Sequence, residues 1–160
     1  MASNVTAGTM TVTIKEDINL NGVARGAKNT LSIANIGQVS RRIITTDGTT
    51  LTPVWRSHAT ADGLDQYHDA DVRYVRITNL DNSNFALLKV ADAAGTPPTT
   101  FMTIRLEPGA SHIFMAPGAT GVSTYVDISG VTMVPLAELN VTADTAGIDL
   151  ELFVASAAAS

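Results

Sequence analysis

The sequence predicts an all-β protein, a β-sandwich or jelly roll, and three observations predict it. Apolar and polar residues alternate with period two, as in Met10, Val12 and Ile14 against Thr9, Thr11, Thr13 and Lys15. That is the signature of a pleated strand with one face buried. Runs of this kind are short, and turn residues separate them roughly every 8–12 positions, the spacing of a sandwich. Glycine and proline interrupt every long window, so no apolar stripe at i, i+3, i+4, i+7 survives beyond about two turns of helix.

The elements follow in order. After the run at Met10 to Lys15, Leu31, Ile33 and Ile36 mark a second strand. Val39 to Thr46 leads through Asp47-Gly48 to Thr49–Val54, and a D-G pair between β-prone runs predicts a hairpin. Asp71 to Thr78 is the clearest strand, closed by the turn cluster Asn79 to Asn84. Strands are then predicted over Phe85–Val90, Phe101–Leu106, Ser111–Met115, Val122–Ile128, Val131–Val134, Glu138–Ala143 and Ile148–Val154. Ala91 to Thr100, with Gly95, Pro97 and Pro98, reads as a loop. Val75, Ile77, Leu87, Ile104, Leu106, Ile128, Leu150 and Leu152 are the expected core.

The chain has 160 residues, 45% of them hydrophobic and 16% charged, with a mean hydropathy of +0.18. This suits one folded domain and not a disordered chain. The expected organisation is an extended N-terminal arm over 1–9, a single sandwich domain over 10–154 and a C-terminal tail over 155–160. The tail, nearly all alanine and serine, reads equally as a helical turn or an extended arm. Net charge is −5, so the basic field that phosphate backbones require is missing, and no nucleic-acid partner is expected. Cysteine is absent, which removes disulfides, thiolate metal sites and cysteine nucleophiles together. No run of 18 apolar residues occurs, and no membrane partner is expected. Met1 to Gly8 lacks a basic and apolar leader pattern, so secretory export is not expected. Asn4-Val5-Thr6 and Asn140-Val141-Thr142 match the glycosylation sequon, a pattern that arises often by chance in a threonine-rich chain.

Candidate chemistry is sparse. Ser57 to Asp71 holds His58, Asp62, Asp65, His68, Asp69 and Asp71, which are oxygen and imidazole donors at close spacing. The spacing fits neither an EF-hand loop nor H-E-x-x-H, and a solvated polar loop is the plainer reading. His112 stands alone between strand residues and reads as a strand-surface or satisfied core histidine. Serine catalysis lacks a G-x-S-x-G elbow. Glu107 or Glu138 with Asp127 offers the kind of carboxylate pair found in any acidic β protein. Gly118-Ala119-Thr120-Gly121 lacks the lysine of a phosphate loop. Trp55, Tyr67, Tyr74 and Tyr125 are the residues available for a sugar-stacking platform, and Trp55 reads rather as an edge of the core. Arg73 and Arg76 fall on opposite faces of a strand and read as cross-strand or subunit salt-bridge partners. No catalytic residue, cofactor-binding residue or metal ligand is assigned, and no enzymatic activity is expected.

The stretch Val72-Arg73-Tyr74-Val75-Arg76-Ile77-Thr78-Asn79-Leu80-Asp81, with Asn84-Phe85 after it, carries a resemblance. So do Phe101-Met102-Thr103-Ile104-Arg105-Leu106, the turn Glu107-Pro108-Gly109, and Ala146-Gly147-Ile148-Asp149-Leu150-Glu151-Leu152-Phe153-Val154-Ala155. Together these resemble small virion structural proteins of tailed bacteriophages, which often carry an R-I-T-N-L-D…N strand and turn, an L-x-P-G turn and a final D-L-E-x-F-V-A strand. The resemblance covers residues 72–109 and 146–155, and its motifs are strand and turn chemistry. Residues 1–71 match no such pattern. It implies a non-enzymatic β-sandwich located in the virion and assembled in the host cytoplasm. The implied role is a capsid decoration or cement protein, with a tail, collar or fibre-base protein as the alternative. Implied partners are further copies of the chain, a trimer being favoured, and the major capsid protein or other virion proteins. A glycan-binding β-sandwich module is the rival from another class. Missing cysteine suits assembly in a reducing cytoplasm, and an acidic chain suits the outer face of a DNA-filled shell. The two arms are expected to contact neighbouring subunits.

Overall fold

Two five-stranded sheets enclose the core, and almost every strand in them is antiparallel to its neighbours. The structure, a computed structural model, describes residues 6–58, 67–91, 100–116, 122–127, 132–145 and 147–158. In chain order the strands are β1 (Gly8–Glu16), β2 (Asn19–Leu20), β3 (Val23–Ala24), β4 (Ala27–Thr45), β5 (Thr52–His58), β6 (Tyr67–His68) and β7 (Val72–Asn79). They continue as β8 (Ala86–Ala91), β9 (Thr100–Leu106), β10 (Ser111–Met115), β11 (Ser123–Asp127), β12 (Thr132–Pro135), β13 (Glu138–Ala143) and β14 (Asp149–Ala157). Among the described residues there is no helix. One sheet has the order β1-β4-β14-β7-β10 and the other β6-β5-β13-β8-β9, with β11-β12 and β2-β3 as separate hairpins. The protein is therefore all-β and sandwich-like, as its period-two alternation predicts.

The core lies between the sheets. Val75, Ile77, Leu150, Leu152 and Val154 face it from the first sheet; Val54, Leu88, Val90, Leu106, Leu139 and Val141 face it from the second. Of the expected core, Val75, Ile77, Leu106, Leu150 and Leu152 are buried, and Ile104 is half-buried against the same cluster. Leu87 is a correction. It is half-buried, while Leu88 and Val90 are fully buried, because Leu87 shares its face of β8 with Lys89. Ile128 lies outside the described residues.

β4 is a single strand of 19 residues that changes partner midway. Its first half, from Ala27 to Ile36, pairs with β1, and its second half, to Thr45, pairs with β14. The change comes at Asn35, with φ of 60°, and Gly37. A Cβ on Gly37 would lie 2.5 Å from the Cα of Ala158, so the chain end closes against the bend only because that position is bare. β1 and the first half of β4 thus form a two-stranded ribbon. It is capped by β2 and β3 around Asn21-Gly22, whose φ values of 53° and 79° match a type I′ turn.

Three expectations about local structure change. Asp47-Gly48 does turn the chain, with Thr50 N donating to Asp47 O at 3.3 Å, but it carries β4 of one sheet into β5 of the other and forms no hairpin. Ala155, Ser156 and Ala157, expected in a tail, are the buried end of β14, paired with β4 on one side; Ala155 and Ser156 also pair with β7 on the other. Gly8 and Thr9, expected in an arm, open β1, and residues 1–5 lie outside the described residues.

The turn after β7 shows why Asn79 is polar yet buried. Asn79 is fully buried and its Nδ2 donates to Asn84 O at 2.8 Å and Leu106 O at 3.2 Å. Its Oδ1 accepts from Asp81 N at 3.0 Å. Asp81 Oδ1 in turn accepts from Ser83 N at 2.7 Å and Asn84 N at 2.6 Å. Asn79→Ala is expected to cost about 2 kcal/mol, because Leu106 O would be left buried without its donor. A chemical denaturation curve checks this, and an unchanged midpoint would mean that water replaces the amide.

Candidate functional site

The outer face of the first sheet, turned away from the core, carries the most unusual side-chain chemistry among the described residues. Side chains opposite one another across antiparallel strands share a face. The register therefore sets Val39, Arg41, Ile43 and Thr45 of β4 beside Asp149, Glu151, Phe153 and Ala155 of β14, and Tyr74, Arg76 and Thr78 of β7. The base of the ribbon lies over one end of this face. Met10, Val12 and Leu31 pack with Ile33, Ile36, Tyr74 and Phe153 into a second apolar cluster, separate from the core. Tyr74 meets Phe153 edge-on, with ring centroids 5.8 Å apart and planes at 84°.

Beside this cluster, Glu151 is nearly buried between two arginines. Arg41 Nε donates to its Oε2 at 2.6 Å, and Arg76 donates from Nη2 to its Oε1. The Arg76 guanidinium stands 5.7 Å from the Phe153 ring centroid. A groove of about 420 Å³ is lined by Met10–Thr13 of the ribbon together with Arg41, Tyr74, Arg76 and Phe153. Hydrogen bonds and charge from Arg41, with the charge of Arg76, hold the Glu151 carboxyl below its ordinary range, and burial pushes the Tyr74 hydroxyl up. An acid held ionised, beside a phenol held protonated, provides no proton donor and base poised near neutrality. What the network does is tie three strands together by charge across the sheet.

The stability of the fold should depend on pH in two windows. Burial lowers the pKa of His112, so the unfolded chain takes up its proton first as pH falls. Stability then declines below the ordinary histidine value of 6.5. Glu151 and Asp81 also have lowered values, the latter through backbone hydrogen bonds from Asn84 and Ser83. Their contribution is complete above the ordinary carboxylate range and is lost as pH falls through their folded values. Thermal melting across pH should show both declines. His112→Gln should remove the first, and Glu151→Gln should reduce the second and leave the part due to Asp81; a flat profile above the carboxylate range in the wild type would contradict the first assignment.

The other candidates separate. Of the acid-rich segment, residues 59–66, with Asp62 and Asp65, lie outside the described residues. Ser57 is buried and its Oγ donates to Leu136 O at 3.0 Å. His68 Nδ1 sits 3.3 Å from Asp69 Oδ1, and Ala70 N donates to that same oxygen at 2.7 Å, a local turn. Among the described residues, no three of His, Asp and Glu converge as metal ligands would. His112 packs on Phe114 with ring centroids 4.6 Å apart. Glu138 pairs with Arg56 at 3.0 Å and Glu107 with Arg105 at 2.7 Å, so each faces its own arginine. Trp55 and Tyr67 are buried in the core and Tyr74 in the second cluster, so these three make no open stacking platform. Arg73 donates to Ala70 O at 2.6 Å while Arg76 serves Glu151 on the other face. Asn140 is buried, which removes it as a glycan acceptor; Asn4 lies outside the described residues.

The ribbon and the Glu151 network are what sequence reasoning missed. Asn21-Gly22 between Leu20 and Val23 was the available signal for the ribbon tip. For Glu151 it was a charge at the centre of an apolar strand, which needs a cationic neighbour.

No protein-family model matches the chain, and no curated protein matches it. The solved structures include a similar chain, described as "Bacillus endospore appendages form a novel family of disulfide-linked pili". The two are 10% identical, with a TM-score of 0.43, over 76% of this chain and 88% of that one.

Proposed function

We propose that this chain is a non-enzymatic virion structural protein, a capsid decoration or cement protein that stabilises the head through subunit contacts. One observation supports this above the rest: the ribbon over residues 8–36 leaves the sandwich and carries uncovered apolar side chains. Ile14, Ile18, Leu20 and Val23 are all exposed along it. A two-stranded ribbon is marginal by itself in water, and an apolar ribbon outside a core is built to be covered by something else. The rigid sandwich behind it supplies a platform, and the phage-like strand and turn residues serve that platform. In the structure Asn79 and Asp81 order the turn after β7, and Leu150, Glu151 and Leu152 lie in the central strand.

Quantitative mass spectrometry of purified virions tests the proposal. A decoration protein should appear at a copy number comparable with the major shell protein, and particles lacking it should rupture at lower temperature. A few copies per particle would favour the tail, collar or fibre-base reading, and absence from particles would overturn both.

A further inference from the structure

The outer face of the first sheet is covered over only part of its length. Near Phe153 and Tyr74, the chain's own ribbon base forms a third layer on it. Toward the other end that layer stops. Ile43 is left 63% exposed and Leu80 45%, although both belong to ordered parts of the sheet and its first turn. Beside Leu80 lies a hollow of about 400 Å³, lined also by Asp81, Asp149 and Thr45, the next residue after Ile43 on the same face of β4. This end of the face is apolar and acidic at once.

The ribbon tip has the complementary character. Leu20 and Val23 are cross-strand partners, 56% and 51% exposed, and both lie outside the two apolar clusters. Charge is divided in the same sense. Residues 8–36 hold three basic residues, Lys15, Arg25 and Lys28, against two acidic ones, while the rest of the chain holds seven basic and thirteen acidic. The ribbon is therefore net positive and the body strongly negative.

We propose that the ribbon tip of one subunit docks on the Ile43–Leu80 end of the same sheet face in a second copy of this chain. This rests on the structural-subunit reading above and names its partner. Leu20 and Val23 extend, on the neighbour, the third layer that Met10 and Val12 begin on that neighbour's own sheet. Arg25 and Lys28 meet the acidic hollow at Asp81 and Asp149, while Lys15 is held by Asp17 of its own ribbon at 2.8 Å. Donor and acceptor are different patches, so the contact is head-to-tail, and it closes into a ring when the rotation between subunits permits. Within one subunit Leu20, Val23, Ile43 and Leu80 all stay exposed, so the tip does not cover its own acceptor end.

The chain has no cysteine, which makes directed cross-linking clean. Leu20→Cys and Ile43→Cys are made separately, mixed under mild oxidation and compared with each variant alone. The expected result is a covalent dimer in the mixture only. Both residues are exposed, so melting temperatures should match the wild type. In parallel, Leu20→Ser and Val23→Ser should each weaken association by about tenfold. Three results overturn the docking: Leu20→Cys dimers that form equally well alone, cross-links from the tip to a different virion protein, and a wild-type-sized oligomer with no bond between the two positions. Each of these leaves the structural-subunit reading standing. A wild-type chain that is monomeric in sedimentation and absent from virions defeats both.

Discussion

A chain ending at Val154 is expected to lose most of its cooperative stability. Its missing residues begin with Ala155, Ser156 and Ala157, all buried at the end of β14. They pair with Val39, Gln38 and Ile36 on one side, and the first two also pair with Tyr74 and Val72 on the other. Ala157 N donates to Asp71 O at 2.7 Å and Ala158 N to Asn35 O at 2.9 Å. Each such bond is worth about 1 kcal/mol net, and a domain of this kind has only about 5–15 kcal/mol in total. The second apolar cluster also loses Ala155, the point where the ribbon base meets the sheet. Far-ultraviolet circular dichroism during heating, with limited proteolysis, measures the loss. A truncated chain that melts with the full-length protein would make the end of β14 a detachable tail, as its composition suggests.

That contrast shows what the sequence makes legible. Where side chains alternate strongly, the strands stand out: Ser111–Met115 and Glu138–Ala143 match the structure residue for residue, and Val72–Asn79 matches within one. Alanine and serine carry no such alternation, so the end of β14 reads as a tail. Its burial depends on a distant partner, since Gly37 leaves the space that Ala158 fills. The Asp47-Gly48 error has the same origin. A turn sequence fixes a local reversal but not which sheet the next strand joins. Leu87 and Leu88 are adjacent and chemically alike, so only Lys89, two residues beyond Leu87, marks which of them faces water. The site was less legible than the fold. The ribbon's apolar residues look like core in sequence, and only the strand order shows that β1 is an edge with no sheet behind its tip. Catalytic motifs have fixed spacings to search for, whereas a docking surface is defined by what remains uncovered after folding.

Leu150→Ala is expected to cost about 2–5 kcal/mol, the range for removing a fully buried leucine side chain from a core that relaxes only in part. Leu150 is fully buried in β14, between Ile44 of β4 and Asn79 of β7, and faces the second sheet. Leu87→Ala removes the same atoms from β8, on the side shared with Lys89, and should cost below about 1 kcal/mol. For a chain of this length each kcal/mol moves the melting temperature by about 2–4 °C. The two variants should therefore melt several degrees apart despite identical chemistry. Equal losses would place Leu87 in a covered interface and mean that the outer side of β8 is occupied. A loss below half that range for Leu150 would remove β14 from the centre of the core, and with it the reason why the strand carrying Glu151 can hold two arginines in register.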